Sequence, residues 1–165
     1  MSFHYKTDEE LADFYNNYLY TDKIKDYVIN NQYILIYNQD NKIIDKYKYL
    51  NNQIIKVPFI TVKSKMFGNI KPIDPYQELV IDSFKNNKIT LVKGPAGTGK
   101  SLLSLGFLFK ELEEGNIDKI IIFCNTVATA GSAKLGFYPG SRTEKLLDSQ
   151  IGNFLISKIG DRIGV

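Results

Sequence analysis

The sequence predicts an α/β fold: an incomplete parallel sheet flanked by helices around a glycine-rich loop, preceded by a small antiparallel β meander with an N-terminal helix. Three observations carry that expectation. A β-prone run at 88–93 passes directly into Gly94-Pro95-Ala96-Gly97-Thr98-Gly99-Lys100-Ser101, which opens into a helical pattern over 102–114 with Gly115 as its stop. Short β-type runs separated by asparagine-rich turns lie between residues 26 and 62. Apolar residues recur at helical spacing near the N-terminus.

The N-terminal element comes first. Thr7 followed by Glu10 has the form of a capping box, and Leu11, Phe14, Tyr15 and Tyr18 share one helical face, so a helix is expected over about 8–20. The pattern then changes. Runs at 32–37, 43–49 and 53–57, broken by Asn38-Gln39-Asp40-Asn41 and Asn51-Asn52, read as a meander whose tyrosines serve packing before base stacking. Gly68, Pro72 and Pro75 interrupt both periodicities over 63–75, which reads as a connector. Asp74 and Pro75 suit the N-cap and first position of a helix carrying Leu79, Val80 and Phe84 and ending near Asn86-Asn87. A further apolar run at 119–124 reads as a second core strand. The domain division expected is 1–25, 26–65 and 66–165.

Composition narrows the chemistry. The 165 residues carry 21 Lys+Arg against 18 Asp+Glu, a net charge of +3 that gives little support for nucleic-acid binding by charge alone. Lysines 42, 46, 48, 63 and 65 could track a phosphate backbone, yet such spacing more commonly marks a solvated face. The single cysteine, Cys124, lies in an apolar run and reads as a buried inert thiol, and one histidine, His4, leaves little room for triads or His/Cys metal sites. No run reaches the roughly 18–20 apolar residues of a membrane span, and residues 1–10 lack a signal-peptide pattern, so no membrane partner and a cytoplasmic location are expected.

The loop at 94–101 fits the G-x-x-x-x-G-K-[ST] pattern of P-loop NTPases. Glycines let the main chain curl so that the N–H groups of about 97–101 point at phosphate oxygens, and the positive end of the following helix adds to the attraction. Lys100 supplies a point charge for β- and γ-phosphates, and the Ser101 hydroxyl is a candidate Mg²⁺ ligand, so ATP and Mg²⁺ are the expected cofactors. Gln77, 17 positions before Gly94, has two readings: its amide can read the adenine edge, or it is the capping-box partner of Asp74.

These residues resemble the PhoH-like ATPases, which are similar to superfamily 1 helicase motors. The resemblance runs over about 30–161 and rests on Lys71-Pro72 with Asp74-Pro75-Tyr76-Gln77, the loop 94–101, and Ala130-Gly131 with Leu135-Gly136-Phe137-Tyr138-Pro139-Gly140 and Glu144-Lys145. It implies ATP hydrolysis coupled to RNA or single-stranded nucleic acid. The meander and Phe67-Gly68 also look like the region between the nuclease and ATPase parts of family members that carry a PIN domain, although the roughly 25 residues before the meander are not expected to form one. Two departures stand out. Asn125-Thr126-Val127 replaces the usual Arg-Pro pair, and no apolar strand ends in the Asp-Glu that holds Mg²⁺ and orients water; neither Asp148 nor Asp161 fills that place. Catalytic residues are therefore unassigned. The reading is an N-terminal portion of such an ATPase that awaits a separate chain carrying the Walker B half, or a homo-oligomer. The alternative is a non-catalytic remnant or interaction module. A small-molecule kinase, which usually needs an arginine-rich lid, fits poorly with only Arg142 and Arg162.

Overall fold

The computed structural model describes residues 1–5, 7–19, 21–123 and 152–153. The chain is a mixed α/β protein. It forms two compact units, Met1–Thr61 with Lys71–Lys100, and Val62–Ile70 with the chain from Ser101 onward.

The first unit is built on a four-stranded sheet in the order β1-β2-β3-β4, formed by Ser2–His4, Gln32–Tyr37, Ile43–Leu50 and Gln53–Lys56. β2, β3 and β4 make the expected antiparallel meander, while β1 adds a parallel edge beside β2. Asn51 and Asn52 both adopt positive φ, 49° and 63°, and Leu50 pairs with Gln53 across them. That two-residue loop matches the right-handed strand twist, and asparagine tolerates its left-handed conformation better than most side chains.

Alternation along the strands divides the sheet into two faces. Ile34, Ile36, Tyr47 and Tyr49 lie on one face and are buried with Phe14, Leu19, Ile24 and Val28. The tyrosines of this face are thus packing residues. The helix α1, Asp8–Phe14, is capped by the Thr7 hydroxyl, which accepts from the Glu10 N–H at 3.1 Å, and it continues as a π-helical turn over Tyr15–Leu19. The Asp45 carboxylate on the same face accepts from the Tyr15 hydroxyl and pairs with Lys56.

On the other face, Tyr33 stands opposite Lys48 and Leu35 opposite Lys46. Here the helix α2, Pro75–Asn86, presents Glu78 and Asp82, four positions apart and so on one helical face. Lys46 pairs with Glu78 at 3.1 Å, and Lys48 with Asp82 at 3.5 Å. Two of the five lysines considered for a phosphate backbone are therefore engaged with carboxylates inside the fold. The buried members of α2 are Ile81 and Asp82; Leu79, Val80 and Phe84, expected as its apolar side, are half-buried.

Segment 88–93 departs from expectation. It carries no strand ladder, and neither does 119–123; Ile89 and Leu91 are 89% and 93% exposed. The expected parallel sheet is thus not formed among the described residues. A β-prone sequence is not autonomous: its N–H and C=O groups need a neighbouring strand, and neither run meets one here. Segment 88–93 is tied to α2 by the Ser83 and Thr90 hydroxyls, 3.0 Å apart.

In the second unit, the connector read from Gly68 and the prolines contains a hairpin of β5, Val62–Ser64, and β6, Gly68–Ile70. It packs along one side of α3, Lys100–Glu113. Gly106 admits Ile70, whose Cδ1 an added Cβ would overlap, and Phe67 meets Phe109 at 5.2 Å between ring centroids. One turn further on, the Glu113 carboxylate accepts from the Ser64 hydroxyl at 2.9 Å and from the N–H groups of Lys65 and Met66 at 2.6 and 3.1 Å. α3 stops where Gly115 takes φ 75°, with Gly115 N–H on the Leu112 carbonyl and Asn116 N–H on that of Glu111, a Schellman motif.

Candidate phosphate-loop site

Two local rules shape the site. Asp74 is the N-cap of α2 and accepts from the Gln77 N–H at 2.8 Å, which sets the start of the helix and the direction of the Gln77 side chain. After Gly94 the chain turns through Gly97 and Gly99, with φ 80° and 77°, before α3 begins at Lys100. Those angles are open to glycine and strained for other residues, so the spacing of the glycines follows from the curl of the loop. An added Cβ at Gly97 meets nothing within 4 Å, so the backbone conformation and not crowding is what favours glycine there.

Within the loop, Thr98 is a node. Its hydroxyl donates to the Pro95 carbonyl at 2.9 Å and accepts from the Lys100 ammonium at 3.4 Å. Lys100 also donates to the Pro95 carbonyl. The Thr98 carbonyl accepts from Gln77 Nε2 at 3.3 Å, while Gln77 Oε1 accepts from the Ile73 N–H at 2.9 Å. Gln77 therefore acts in a cap displaced by one residue and reaches the loop as well. A glutamine amide has two N–H bonds and two acceptor lone pairs, so one of each is left for a base edge.

Lys100 and Gln77 thus come together around Thr98, within the first unit. The exposed Ser101 is the second residue of α3. One hydroxyl supplies one of the oxygen ligands that Mg²⁺ demands, so the residues present fit a metal that arrives with phosphate oxygens. Among the described residues no group of three or more His, Cys, Asp or Glu could hold a metal by itself. The expected second core strand reaches Cys124, and the loop 126–140, Asp148 and Asp161 follow; Cys124 and these positions lie outside the described residues. Sequence reasoning missed the Thr98 node and the Gln77 link to it. Threonine inside the glycine loop was the available signal, but its hydroxyl partner depends on the curl of the chain.

The sheet, the helix that starts at Lys100 and the preceding capped helix define a mixed α/β chain with a glycine-rich loop between its two longer helices. The PhoH-like protein family model matches residues 69–161, and the chain belongs to that family. It is 29% identical over 96 residues to a PhoH-like protein of Mycobacterium bovis, covering 58% of this chain and 27% of the relative. A PhoH-like protein of Mycobacterium leprae is 31% identical over 77 residues, which is 47% of this chain and 22% of that protein. The chain thus spans about a quarter of the length of these curated relatives. No solved structure matches it. Among the described residues no helix is long and apolar enough to cross a membrane.

Proposed function

We propose that this chain is a cytoplasmic ATP-binding module of the P-loop NTPase type, its 66–165 region forming the N-terminal part of a PhoH-like ATPase domain. The observation that supports the reading most directly is the curl at Gly97 and Gly99 followed by a helix that starts on Lys100, with the ammonium held across the loop. In this reading the N–H groups of 97–101 hold the phosphates, Lys100 neutralises the β- and γ-oxygens, Ser101 contributes to Mg²⁺, and Gln77 offers its remaining amide positions to adenine. Phosphate oxygens must compete with the Pro95 carbonyl for the ammonium; a negatively charged acceptor wins that exchange because it adds the attraction of opposite charges to the hydrogen bond.

Bound Mg²⁺ would supply charge neutralisation between the phosphates. Turnover also needs a carboxylate to hold the metal and orient water, and no apolar run of the sequence ends in Asp-Glu. Hydrolysis linked to RNA or single-stranded nucleic acid, which the family resemblance implies, therefore requires a strand ending in such a carboxylate, for which a separate chain is one source. The same gap favours the second reading, a non-catalytic module. A titration with a fluorescent ATP analogue and Mg²⁺, with released phosphate assayed in the same samples, tests both. Saturable binding without turnover is expected, turnover by the isolated chain refutes the missing-carboxylate argument, and absence of binding refutes the ATP reading.

A further inference from the structure

Gln77 does more in this structure than either sequence reading required. Its side chain bridges two main-chain groups that are far apart in sequence, the Ile73 N–H ahead of α2 and the Thr98 carbonyl inside the glycine loop. Its backbone N–H is fixed on the Asp74 carboxylate, so the residue is held at three points, two of them on the side-chain amide. On the loop side, Thr98 is held twice, through its carbonyl by Gln77 and through its hydroxyl by Pro95, and Lys100 shares that Pro95 carbonyl. An added Cβ at the adjacent Gly99 would lie 3.3 Å from Gln77 Nε2, so the glycine and the amide are fitted to each other.

We propose that Gln77 is a positioning residue for the phosphate loop. By holding the Thr98 carbonyl, it presets the curl through Gly97 and Gly99 that the phosphates need, in the absence of any base. The proposal rests on the ATP-binding reading and extends it from base recognition to loop geometry. Its physical content is preorganisation: a loop already curled does not lose that conformational freedom when the phosphates arrive. Because a neutral hydrogen bond is lost, the expected effect of Gln77→Ala on phosphate binding is a weakening of about threefold to tenfold.

The test separates phosphate from base. Mg-ATP and Mg-tripolyphosphate, which has no base, are titrated against the full chain and against Gln77→Ala, with circular dichroism to show that α2 is intact. The expected result is that both ligands weaken by a similar factor. If only ATP weakens, Gln77 reads the base alone and the positioning role is overturned. Should the parent chain bind neither ligand, the phosphate-loop reading falls and the proposal with it. A second measurement covers a change in α2 itself: amide hydrogen exchange without ligand should quicken in Gln77→Ala at 97–100 and not at 79–86. Faster exchange along α2, with 97–100 unchanged, overturns the proposal.

Discussion

Replacing Asp82 by alanine should unsettle the first unit more than any other single polar substitution on α2. The Asp82 side chain is 8% exposed and that of Lys48 is 5% exposed, so both charges are out of water. Asp82 accepts from the Tyr33 hydroxyl at 2.7 Å, the Lys48 ammonium at 3.5 Å and the Asn86 amide at 2.9 Å. Burial first, and then the bond to Asp82, pushes the Tyr33 hydroxyl above its ordinary pKa, so it is a donor at neutral pH. Asp82→Ala strands a buried ammonium and a buried hydroxyl, a loss of about 3–5 kcal/mol by comparison with other broken buried pairs. For a unit of this size that is roughly 15–30 °C in the melting temperature. Lys48→Met should cost less, about 1–3 kcal/mol, because Asp82 keeps the Tyr33 and Asn86 donors. The double variant Lys48→Met/Asp82→Leu should be more stable than Asp82→Ala alone, since no charge is then left buried without a partner. Thermal melts followed by circular dichroism supply the comparison. Were Asp82→Ala to lose less than about 1 kcal/mol, the network would be slack and this reasoning wrong.

Three further outcomes are expected. Glu113→Gln should loosen the β5–β6 hairpin from α3 by about 1–2 kcal/mol, because one acceptor and the charge are lost. Partial burial raises the Glu113 pKa, but the donors from Lys65, Ser64 and Met66 together outweigh it and leave it below the ordinary 4.5. Its contribution is therefore complete above about pH 4.5 and lost as the pH falls through the depressed value, so hydrogen exchange at Lys65 and Met66 should quicken in acid in the parent and lose most of that dependence in the variant. Gly99→Ala places a Cβ at φ 77° and 3.3 Å from Gln77 Nε2, so Mg-ATP affinity should fall about tenfold while the thermal melt moves by only about 1 kcal/mol in equivalent free energy. Lys100→Ala should remove most Mg-ATP affinity in an equilibrium titration; unchanged affinity there refutes the role given to the ammonium.

What was legible in the sequence shares one property: it is local. Thr7 with Glu10, Asp74 with Gln77, the Asn51-Asn52 turn and the stop at Gly115 each involve residues within a few positions, where side-chain type and backbone geometry are directly linked. The meander followed from such turns and from β-type runs between them. The features that escaped are not local. Ser2–His4 is too short to show a period, yet it forms the parallel edge of the sheet. Glu113 caps a hairpin some fifty residues earlier, and the lysines of β3 face α2 because of register and helix phase together. The core strand expected at 88–93 illustrates the converse. Its apolar residues state a preference, but a ladder requires a neighbour that the described chain does not supply to it.

For the candidate site, the turn through Gly97 and Gly99 into a helix at Lys100 was legible because positive φ favours glycine, and that preference is local. The grip of Gln77 on Thr98 was not, since the distance between them is set by how α2 lies against the loop within the first unit.

The central claim is that the loop at 94–101 holds the phosphates of ATP. Its most direct test is a two-dimensional amide NMR titration of the 165-residue chain with Mg-ATP, followed at the N–H groups that curl through the loop. Saturable shifts concentrated at 97–101, absent in Lys100→Ala, are the expected result. Shifts centred elsewhere, or none at millimolar nucleotide, would contradict the account.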